Sequence, residues 1–545
     1  MKKLLAMLLA LALVFSLCAC KFGDQDKDDD KDDDEKVEDT EEAEEEETEE
    51  DPEEDPEEEE TEKEDPEEEE TEKEDPEKEP DDEKRYDVLE DDDLKYVMIY
   101  NPNIYDENQV RDDSVLNTGA LGSQVDVDAY RGDGLEEEDS GFMDISQGEI
   151  MDAFPVDLTD LEINRGNGLS QNYEEGDVRD FYCFNDGYGY SMERISCEFT
   201  CAYAGEYCNV WVIDGDLSES DAKEYGEEFD ENIYEDVTAL FGEARFVGDG
   251  YGKVNLLFYP LYDNYLGLFY FYDLLATGEL PKKQIEEYGL NVDHAILNIN
   301  SKVAGISAYS EMVCATMAHE YQHMICGTDA LYAGIECRTW LNEAMSGYIE
   351  EYLYSGTKES DGHYKALMKS DRIRYGQSMY NFETDMEDIG VYGSVYMFSE
   401  YLADLAGDDV FSEIHEYWRE SYSDTLSEAE AMAEAVSSSV YKKINKSIDY
   451  DGAVEFDSKN EEWMSKLIFN FYLALLAQDD VEAFEEIKVE KLLYSEINEA
   501  NIEGGGRIIF AVKDGSFEIP DDADNGLVYV GLNEDFEVVT DIIIK

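Results

Sequence analysis

The chain has 545 residues and is strongly acidic, with 140 aspartate and glutamate residues, 40 lysine and arginine residues and a formal net charge of −100. Because such a surface repels phosphate backbones, the charge argues against nucleic acid as a partner. It would favour cationic substrates or bound Ca²⁺, although a solvated acidic surface is its ordinary explanation.

The first twenty residues have the pattern of a bacterial lipoprotein leader. The positive pair Lys2-Lys3 precedes an apolar stretch over residues 4–17, which is too short to span a membrane. Cys20 ends a Leu-Cys-Ala-Cys sequence, the pattern at which such leaders are cleaved. We therefore expect a signal peptide over residues 1–19, a lipid on Cys20 and a chain held at the extracellular face of the bacterial cell membrane. A bare signal peptide or an uncleaved anchor is the alternative.

Residues 20–85 are predicted to be a disordered acidic tether. The ten-residue sequence D-P-E-E-E-E-T-E-K-E occurs twice without change, at residues 55–64 and 65–74. From Lys21 to Arg85 there are 42 acidic and 9 basic residues and almost no apolar side chains that could form a core. Mutual repulsion and the prolines keep such a segment extended.

Residues 86–300 are predicted to form a strand-rich N-terminal part. Runs of β-branched and aromatic residues, as over residues 208–213 and 254–259, alternate with clusters of glycine, aspartate and asparagine. This alternation is typical of short strands separated by turns. A further strand is predicted over residues 292–299, with His294 as a packed strand residue rather than a ligand.

Residues 301–485 have helical periodicity and contain the sequence His319-Glu320-Tyr-Gln-His323. Two histidines four residues apart lie on one face of a helix, one turn from each other, so both imidazoles can reach one metal ion. Glu320 then stands beside the metal, where it can take a proton from metal-bound water. The chain has only five histidines, and two of them are in this motif.

The flanking residues predict two helices and a third ligand. Ser310 is expected to begin the motif helix and Gly327 to end it. A second helix is expected to begin near Trp340 and to carry Glu343 at its start. Because catalytic zinc usually takes three protein ligands, Glu343 is predicted to complete the site. Asp329 is the second choice for that ligand, and its other interpretation is a turn residue after the motif helix.

These residues resemble those of the gluzincin zinc peptidases, a group that includes thermolysin and the M1-type aminopeptidases. More narrowly, the chain is similar to the hyicolysin-type secreted metallopeptidases over roughly residues 180–410. The narrower likeness rests on residues 204–212, 248–255, 319–324 and 340–344. The resemblance implies a thermolysin-like helical part in which His319, His323 and Glu343 bind Zn²⁺ and Glu320 is the general base.

The same resemblance suggests further site residues. The predicted helix after Tyr392 is similar to the segment that carries the catalytic tyrosine of M1-type enzymes, which makes Tyr392 the candidate donor to the oxyanion. The lysine-glycine signature of that segment is absent. His363 and His415 are alternative donors, although each is interpreted as a surface residue. In gluzincins a strand before the motif helix pairs with substrate, so Asn298 and Asn300 are candidate substrate contacts.

The remaining sequence returns to strands. Residues 486–545 contain strand-like runs at 508–512 and 527–530 and are expected to form a small C-terminal β unit. The fold class predicted for the whole chain is α+β.

Seven cysteines follow Cys20, an odd number that leaves at least one thiol unpaired if the others form disulfides. Pairing among the first four is expected in an extracellular setting, and the fifth and sixth are expected to be core thiols. The seven are Cys183, Cys197, Cys201, Cys208, Cys314, Cys326 and Cys337.

Two functions fit these observations. The first is a surface-anchored zinc metalloendopeptidase that acts as a monomer on peptides or proteins. The M1-type exopeptidases carry a Gly-x-Met-Glu-Asn stretch that binds the substrate amino terminus, and its absence favours an endopeptidase. The second is a non-catalytic surface lipoprotein, an adhesin or ligand-binding module, with a structural metal. The intact Glu320 favours the first, because a structural site has no need of a base.

Overall fold

The residues that the computed structural model describes all lie within Tyr86–Lys545. The predicted leader and tether lie outside the described residues. These are 88–104, 114–117, 124–126, 173–184, 194–213, 215–244, 253–261, 266–275, 280–333, 339–355, 363, 365, 367–368, 370–379, 390–421, 459–478, 481–485, 487–494, 499–520 and 526–545.

The described strands, in chain order, are β1 (Val88–Glu90), β2 (Tyr96–Tyr100), β3 (Ser114–Asn117), β4 (Val178–Phe184), β5 (Arg194–Ala204), β6 (Cys208–Val212), β7 (Val254–Tyr259), β8 (Gly267–Phe269), β9 (Ile296–Asn300), β10 (Glu499–Ile502), β11 (Arg507–Ala511), β12 (Ser516–Glu518), β13 (Val528–Leu532) and β14 (Ile543–Ile544). The described α-helices are α1 (Glu219–Glu228), α2 (Tyr234–Phe241), α3 (Lys282–Tyr288), α4 (Ser301–Ala304), α5 (Ser310–Ala333), α6 (Thr339–Tyr354), α7 (Asp371–Arg374), α8 (Gly390–Ala406), α9 (Asp409–Ser421) and α10 (Lys459–Ala477). A π-helical turn joins α1 to α2, and 3-10 turns cover Phe271–Leu274, Ser307–Tyr309, Glu482–Phe484 and Val489–Lys491.

A six-stranded mixed sheet supports the helical part, with the strand order β4-β5-β6-β7-β9-β8. The pairs β6–β7 and β7–β9 are parallel, whereas the pairs towards both edges are antiparallel. Both faces of the central strands are covered. On β7, Leu256 and Phe258 belong to the main core, while Leu257 and Tyr259 belong to a second cluster on the opposite face. This explains why β7 is apolar at nearly every position.

The motif helix α5 lies on this sheet and contacts β8 and β9. It begins at Ser310 as predicted, but it continues through Gly327 to Ala333. Gly327 has a packing role, because a Cβ there would lie 2.9 Å from Cε1 of Phe269. The helix therefore comes close to β8 at a glycine, and Gly327 is not its end.

Three helices form the centre of the helical part, since α6 packs against α5 on one side and α8 on the other. The second helix begins at Thr339, beside the predicted Trp340. Helix α8 ends at Ala406, and Gly407 follows with a positive φ of 93°. The apolar run over residues 467–476 lies in α10 and is buried.

A second, four-stranded sheet has the order β11-β2-β13-β14, and all of its pairs are antiparallel. Its central strand β2 comes from the N-terminal part and its neighbours from the C-terminal part. Met98 and Tyr100 of β2 belong to the main core, and Tyr100 donates a hydrogen bond to the Ser465 carbonyl of α10 at 2.9 Å. Strands from the predicted C-terminal unit over residues 486–545 thus share a sheet with a strand from the N-terminal part, and a strand pattern alone does not reveal this pairing.

The predicted α+β class is confirmed, with a strand-rich N-terminal part and a helical central part. Among the helices that the structure describes, none combines the length and the apolar character that crossing a membrane requires.

Candidate metal centre

Two buried histidines on α5 form the base of the candidate centre. His319 and His323 are one helical turn apart, and their ring centroids are 4.5 Å apart with the ring planes at 81°. Their side chains are 6% and 0% exposed. Both imidazoles therefore point into the interior between the helices rather than into solvent.

Glu343, in the first turns of α6, brings a carboxylate to the same point. Its Oε2 lies 3.5 Å from Nε2 of His319 and 3.7 Å from Nε2 of His323. Within the described residues, these three side chains are the one group of three or more potential ligands that could hold a metal ion. A tetrahedral zinc ion with bonds of roughly 2.0–2.2 Å holds neighbouring donor atoms about 3.4 Å apart, so the residues fit zinc.

The burial of His323 is a second observation that fits a metal ion bound at this site. Both of its ring nitrogens are buried and neither has a hydrogen bond of normal length and angle to another described residue, although Asn342 and Glu343 lie beside the ring. A buried polar group normally has a partner, because its desolvation is otherwise uncompensated. The ligand roles of the three side chains remain predictions.

Glu350, which the sequence analysis did not single out, orients His319. Its Oε1 forms a short hydrogen bond with Nδ1 of His319, and its Oε2 lies 3.3 Å from Nε2 of His363. With the proton on Nδ1, His319 donates to Glu350 and directs Nε2 towards Glu343. Carboxylates commonly fix metal-binding histidines in this way. The sequence signal that could have identified Glu350 is its spacing, because it lies seven residues, or two helical turns, after Glu343.

The candidate base Glu320 is fixed by the edge strand β8. Its Oε2 accepts a hydrogen bond from the backbone N–H of Phe269 at 2.8 Å, and the side chain is fully buried. Gly267 leaves room for this contact, because a Cβ there would lie 2.5 Å from Cγ2 of Thr316 and 2.9 Å from Cγ of Glu320. Its other oxygen, Oε1, has no hydrogen-bond partner among the residues described.

The site groups have shifted pKa values in the metal-free chain. Burial raises the pKa of Glu320 to about 8, and the charge of Glu343 adds to this, while His319 and the Phe269 N–H oppose it. Burial lowers the pKa of His323 to about 4. Burial also lowers the pKa of His319, but the carboxylates of Glu350 and Glu343 outweigh it and raise that pKa well above its usual range. A neutral His323 is the form that binds a metal.

The candidate oxyanion donors are all buried. Tyr392 lies in the first turn of α8, which packs on α6, and its role remains a prediction. The expectation that His363 and His415 lie on the surface is wrong. His363 contacts Glu350 and stacks on Tyr396 with ring centroids 4.9 Å apart. His415 lies 3.7 Å from Sγ of Cys326, so it belongs to the packing of α5 against α9.

The sheet order contradicts the prediction that the strand before the motif helix pairs with substrate. Strand β9 lies between β7 and β8, so it has no open edge over Ile296–Asn300. Asn298 is buried, donates to the Leu268 carbonyl at 2.9 Å and accepts from the Tyr259 hydroxyl. Asn300 caps the short helix α4. Neither asparagine is placed to contact a substrate, and β8 is the edge strand beside the centre.

The remaining sequence candidates fall outside the centre. His294 precedes β9. Its Nδ1–H donates to the Val292 carbonyl at 2.8 Å, and its Nε2 then accepts from the Tyr173 hydroxyl, which lies 3.2 Å away. Asp329 belongs to α5 rather than to a turn. Cys314 and Cys326 are buried, as expected of core thiols. The described residues offer no further group of three or more ligands, so nothing there supports a Ca²⁺ site.

The chain is similar to a bacterial metalloprotease. It is 31% identical over 278 residues to the neutral metalloprotease ShpI of Staphylococcus hyicus. The match covers 47% of this chain and 58% of the relative, so the chain spans somewhat more than half of that protein's length. No family model matches the chain.

Proposed function

We propose that the protein is a zinc-dependent metalloendopeptidase of the gluzincin type, similar to the hyicolysin-type secreted enzymes. One observation carries the proposal: the triangle of His319, His323 and Glu343 lies on the same buried surface as Glu320. Burial raises the pKa of Glu320 to about 8 in the metal-free chain, and a cation bound beside this carboxyl would lower that pKa. The likeness to a neutral metalloprotease supports the same activity.

The chain's own residues then have defined roles. His319, His323 and Glu343 would hold Zn²⁺, which when bound polarises a carbonyl and lowers the pKa of a water molecule. Glu320 takes a proton from the attacking water on Oε1, since Oε2 is held by the Phe269 N–H. It then delivers that proton to the nitrogen of the leaving amine. Tyr392 is the proposed donor to the oxyanion.

Strand β8 supplies a place for the substrate backbone. It lies at the sheet edge beside Glu320, and it pairs with β9 on its other side. An extended peptide can add to such an edge by backbone hydrogen bonds, which need no free terminus. This mode of binding favours cleavage within a chain, in agreement with the absence of the exopeptidase motif.

The proposed location is the extracellular face of the cell membrane, with the lipid on Cys20 and the acidic tether between the anchor and the catalytic part. This rests on the leader pattern and on the composition of residues 20–85. A peptidase placed there would meet extracellular peptides or proteins.

Casein hydrolysis by the wild type and by Glu320→Gln tests the activity, with bound zinc counted in both. We expect the variant to bind as much zinc and to hydrolyse casein about 10²–10⁴-fold more slowly, the usual contribution of a positioned base. Glu311→Gln, in the first turn of the same helix, is the matched control and should hydrolyse casein normally. Zinc in the wild type without hydrolysis of any protein substrate would favour the non-catalytic lipoprotein instead.

A further inference from the structure

Two cysteines on neighbouring strands lie in direct contact. Both are more than a hundred residues before the candidate metal ligands in the sequence. Strands β4 and β5 pair antiparallel, with Cys183 opposite Ile195 and Cys197 opposite Phe181. The two cysteines are therefore diagonal neighbours, two residues apart in register, on one face of the hairpin. Their Sγ atoms are 2.7 Å apart.

This distance is closer than two unbonded sulfur atoms usually approach. A disulfide has an S–S length of about 2.0 Å, so the two sulfurs would have to move together by well under one ångström. The strand pairing already holds both backbones in place. Little rearrangement therefore separates the reduced pair from a covalent bond.

The other described cysteines near the hairpin do not compete for this pairing. The thiol of Cys201 donates to the Tyr203 carbonyl at 3.3 Å, and that of Cys208 to the Gly226 carbonyl at 3.6 Å. A zinc ion shared by Cys183 and Cys197 would need further ligands, and the described residues bring none to the pair. A sulfur–sulfur bond is the chemistry that two thiols alone can support.

We propose that Cys183 and Cys197 form a disulfide that cross-links β4 to β5. The oxidant is an external disulfide such as oxidised glutathione. Cys197, which is half-buried, attacks it as the thiolate and releases one thiol. Cys183 then attacks Sγ of Cys197 in the mixed disulfide and releases the second thiol. The two protons lost by the cysteine thiols end on the two released thiols, and the external disulfide accepts the two electrons.

Burial governs the order of these steps. Cys183 is only 2% exposed, whereas Cys197 is partly accessible, so the external disulfide meets Cys197 first. Burial also raises the pKa of Cys183, and its hydrogen bond to Cys197 raises that pKa further. The second step is therefore expected to be the slow one.

The cross-link would secure a hairpin that matters for the rest of the sheet. β4 is an edge strand of the six-stranded sheet. Arg194 lies between the two cysteines in sequence and forms a buried ion pair with Asp273 at 2.7 Å. Asp273 follows β8, the strand that holds Glu320. The proposal does not depend on the peptidase activity, because it rests on the strand pairing and the sulfur distance alone.

Peptide mapping of the full chain tests the cross-link. The protein is incubated with oxidised glutathione, its free thiols are alkylated under denaturing conditions, and it is digested with trypsin without reductant. Cleavage after Arg179, Arg194 and Lys223 gives the peptides 180–194 and 195–223, each carrying one of the two cysteines. We expect these peptides to be joined, two hydrogen atoms lighter than their sum, and to separate on reduction.

Two variants identify the partner thiol, because peptide 195–223 also contains Cys201 and Cys208. The joined peptides should persist in Cys201→Ser, the matched control on the same strand, and disappear in Cys197→Ser. Alkylation of both Cys183 and Cys197 in the oxidised wild type would overturn the proposal, and so would a joined pair that survives in Cys197→Ser. If Cys197→Ser folds poorly, the alkylated positions within the joined wild-type peptide decide the question, because Cys201 and Cys208 should both carry the alkyl group and Cys197 should not.

Discussion

At the residue scale, the candidate centre depends on how buried charges are compensated. Glu343 and Glu350 lie two turns apart on one face of α6, and each approaches His319 from its own side. One carboxylate faces Nε2, where a metal would bind, and the other holds Nδ1. Removing either would leave a buried imidazole without the group that fixes its orientation or its charge.

Glu350→Gln should weaken zinc binding while leaving the ligands in place. The amide keeps the size of the side chain but loses the charge that holds Nδ1–H of His319. We expect zinc affinity to fall about 10–100-fold, the usual effect of losing such a partner. Competition with a chromophoric chelator measures the affinity. The neighbouring Glu351→Gln is the control, and an equal loss in both variants would count against the orienting role of Glu350.

Sequence alone indicates which residues share one face of a helix, but it does not indicate contacts that form only on folding. The spacing of His319 and His323 fixes their common face, because a helix repeats every 3.6 residues. The contact of Glu320 with Phe269 could not be predicted, because the two residues are 51 positions apart and meet only when α5 packs on β8. His363 was misjudged for the same reason, since its partner Glu350 lies on another helix.

At the element scale, a buried ion pair ties the β5 strand to the segment after β8. Arg194 makes two hydrogen bonds to the Asp273 carboxylate, at 2.7 and 2.9 Å, and donates to the Tyr182 carbonyl. Its guanidinium also lies 4.7 Å from the ring centroids of Phe184 and Tyr270. Because Asp273 also accepts from the backbone N–H of Asn291, one carboxylate joins three segments of chain.

Arg194→Met should destabilise the fold strongly, because it leaves the Asp273 charge buried without its partner. Breaking a buried pair on one side costs about 3–5 kcal/mol in the free energy of unfolding. Urea denaturation followed by tryptophan fluorescence measures the loss. Arg179→Met, on the exposed part of β4, should change the midpoint little. Equal denaturation midpoints for the two variants would show that the ion pair contributes no stability. If the double variant Arg194→Met/Asp273→Leu recovers part of the lost stability, the unpaired buried charge is the cause.

Strand and helix positions were predicted more accurately than their ends and neighbours. The runs at residues 208–213 and 254–259 are strands β6 and β7, because a continuous apolar run suits a strand buried on both faces. Gly327 was taken for a helix end, yet the helix uses it to approach Phe269. Sequence alone could not show that β8 would cover β9, since the three residues of β8 are too few to give a clear periodic signal.

At the scale of the whole molecule, strands from near the two ends of the described part of the chain share one sheet. β2, near the start, lies between β11 and β13, near the end. Antiparallel strands so far apart in the chain can pair only after the chain between them has folded back, which is a long-range step. The C-terminal strands therefore belong to the stability of the whole unit.

The N-terminal anchor is tested by Cys20→Ser in the full chain expressed in bacteria. We expect the wild type in the membrane fraction and in the detergent phase after extraction, because its acyl chains bury apolar surface in the bilayer. Cys20→Ser should lose the lipid and partition into the aqueous phase. Cys18→Ser changes a residue that leaves with the leader and should behave as wild type. Equal detergent partition of all three proteins would contradict lipidation at Cys20.

The zinc content of three purified proteins tests the metal centre most directly. The proteins are the wild type, Glu343→Ala and Asp329→Ala. Each is dialysed against zinc-free buffer, and its bound zinc is measured by atomic absorption. We expect the wild type and Asp329→Ala to retain one zinc ion per chain and Glu343→Ala to lose it, because two histidines alone do not complete the site. Zinc lost from Asp329→Ala and kept by Glu343→Ala, or no zinc in the wild type, would contradict the account.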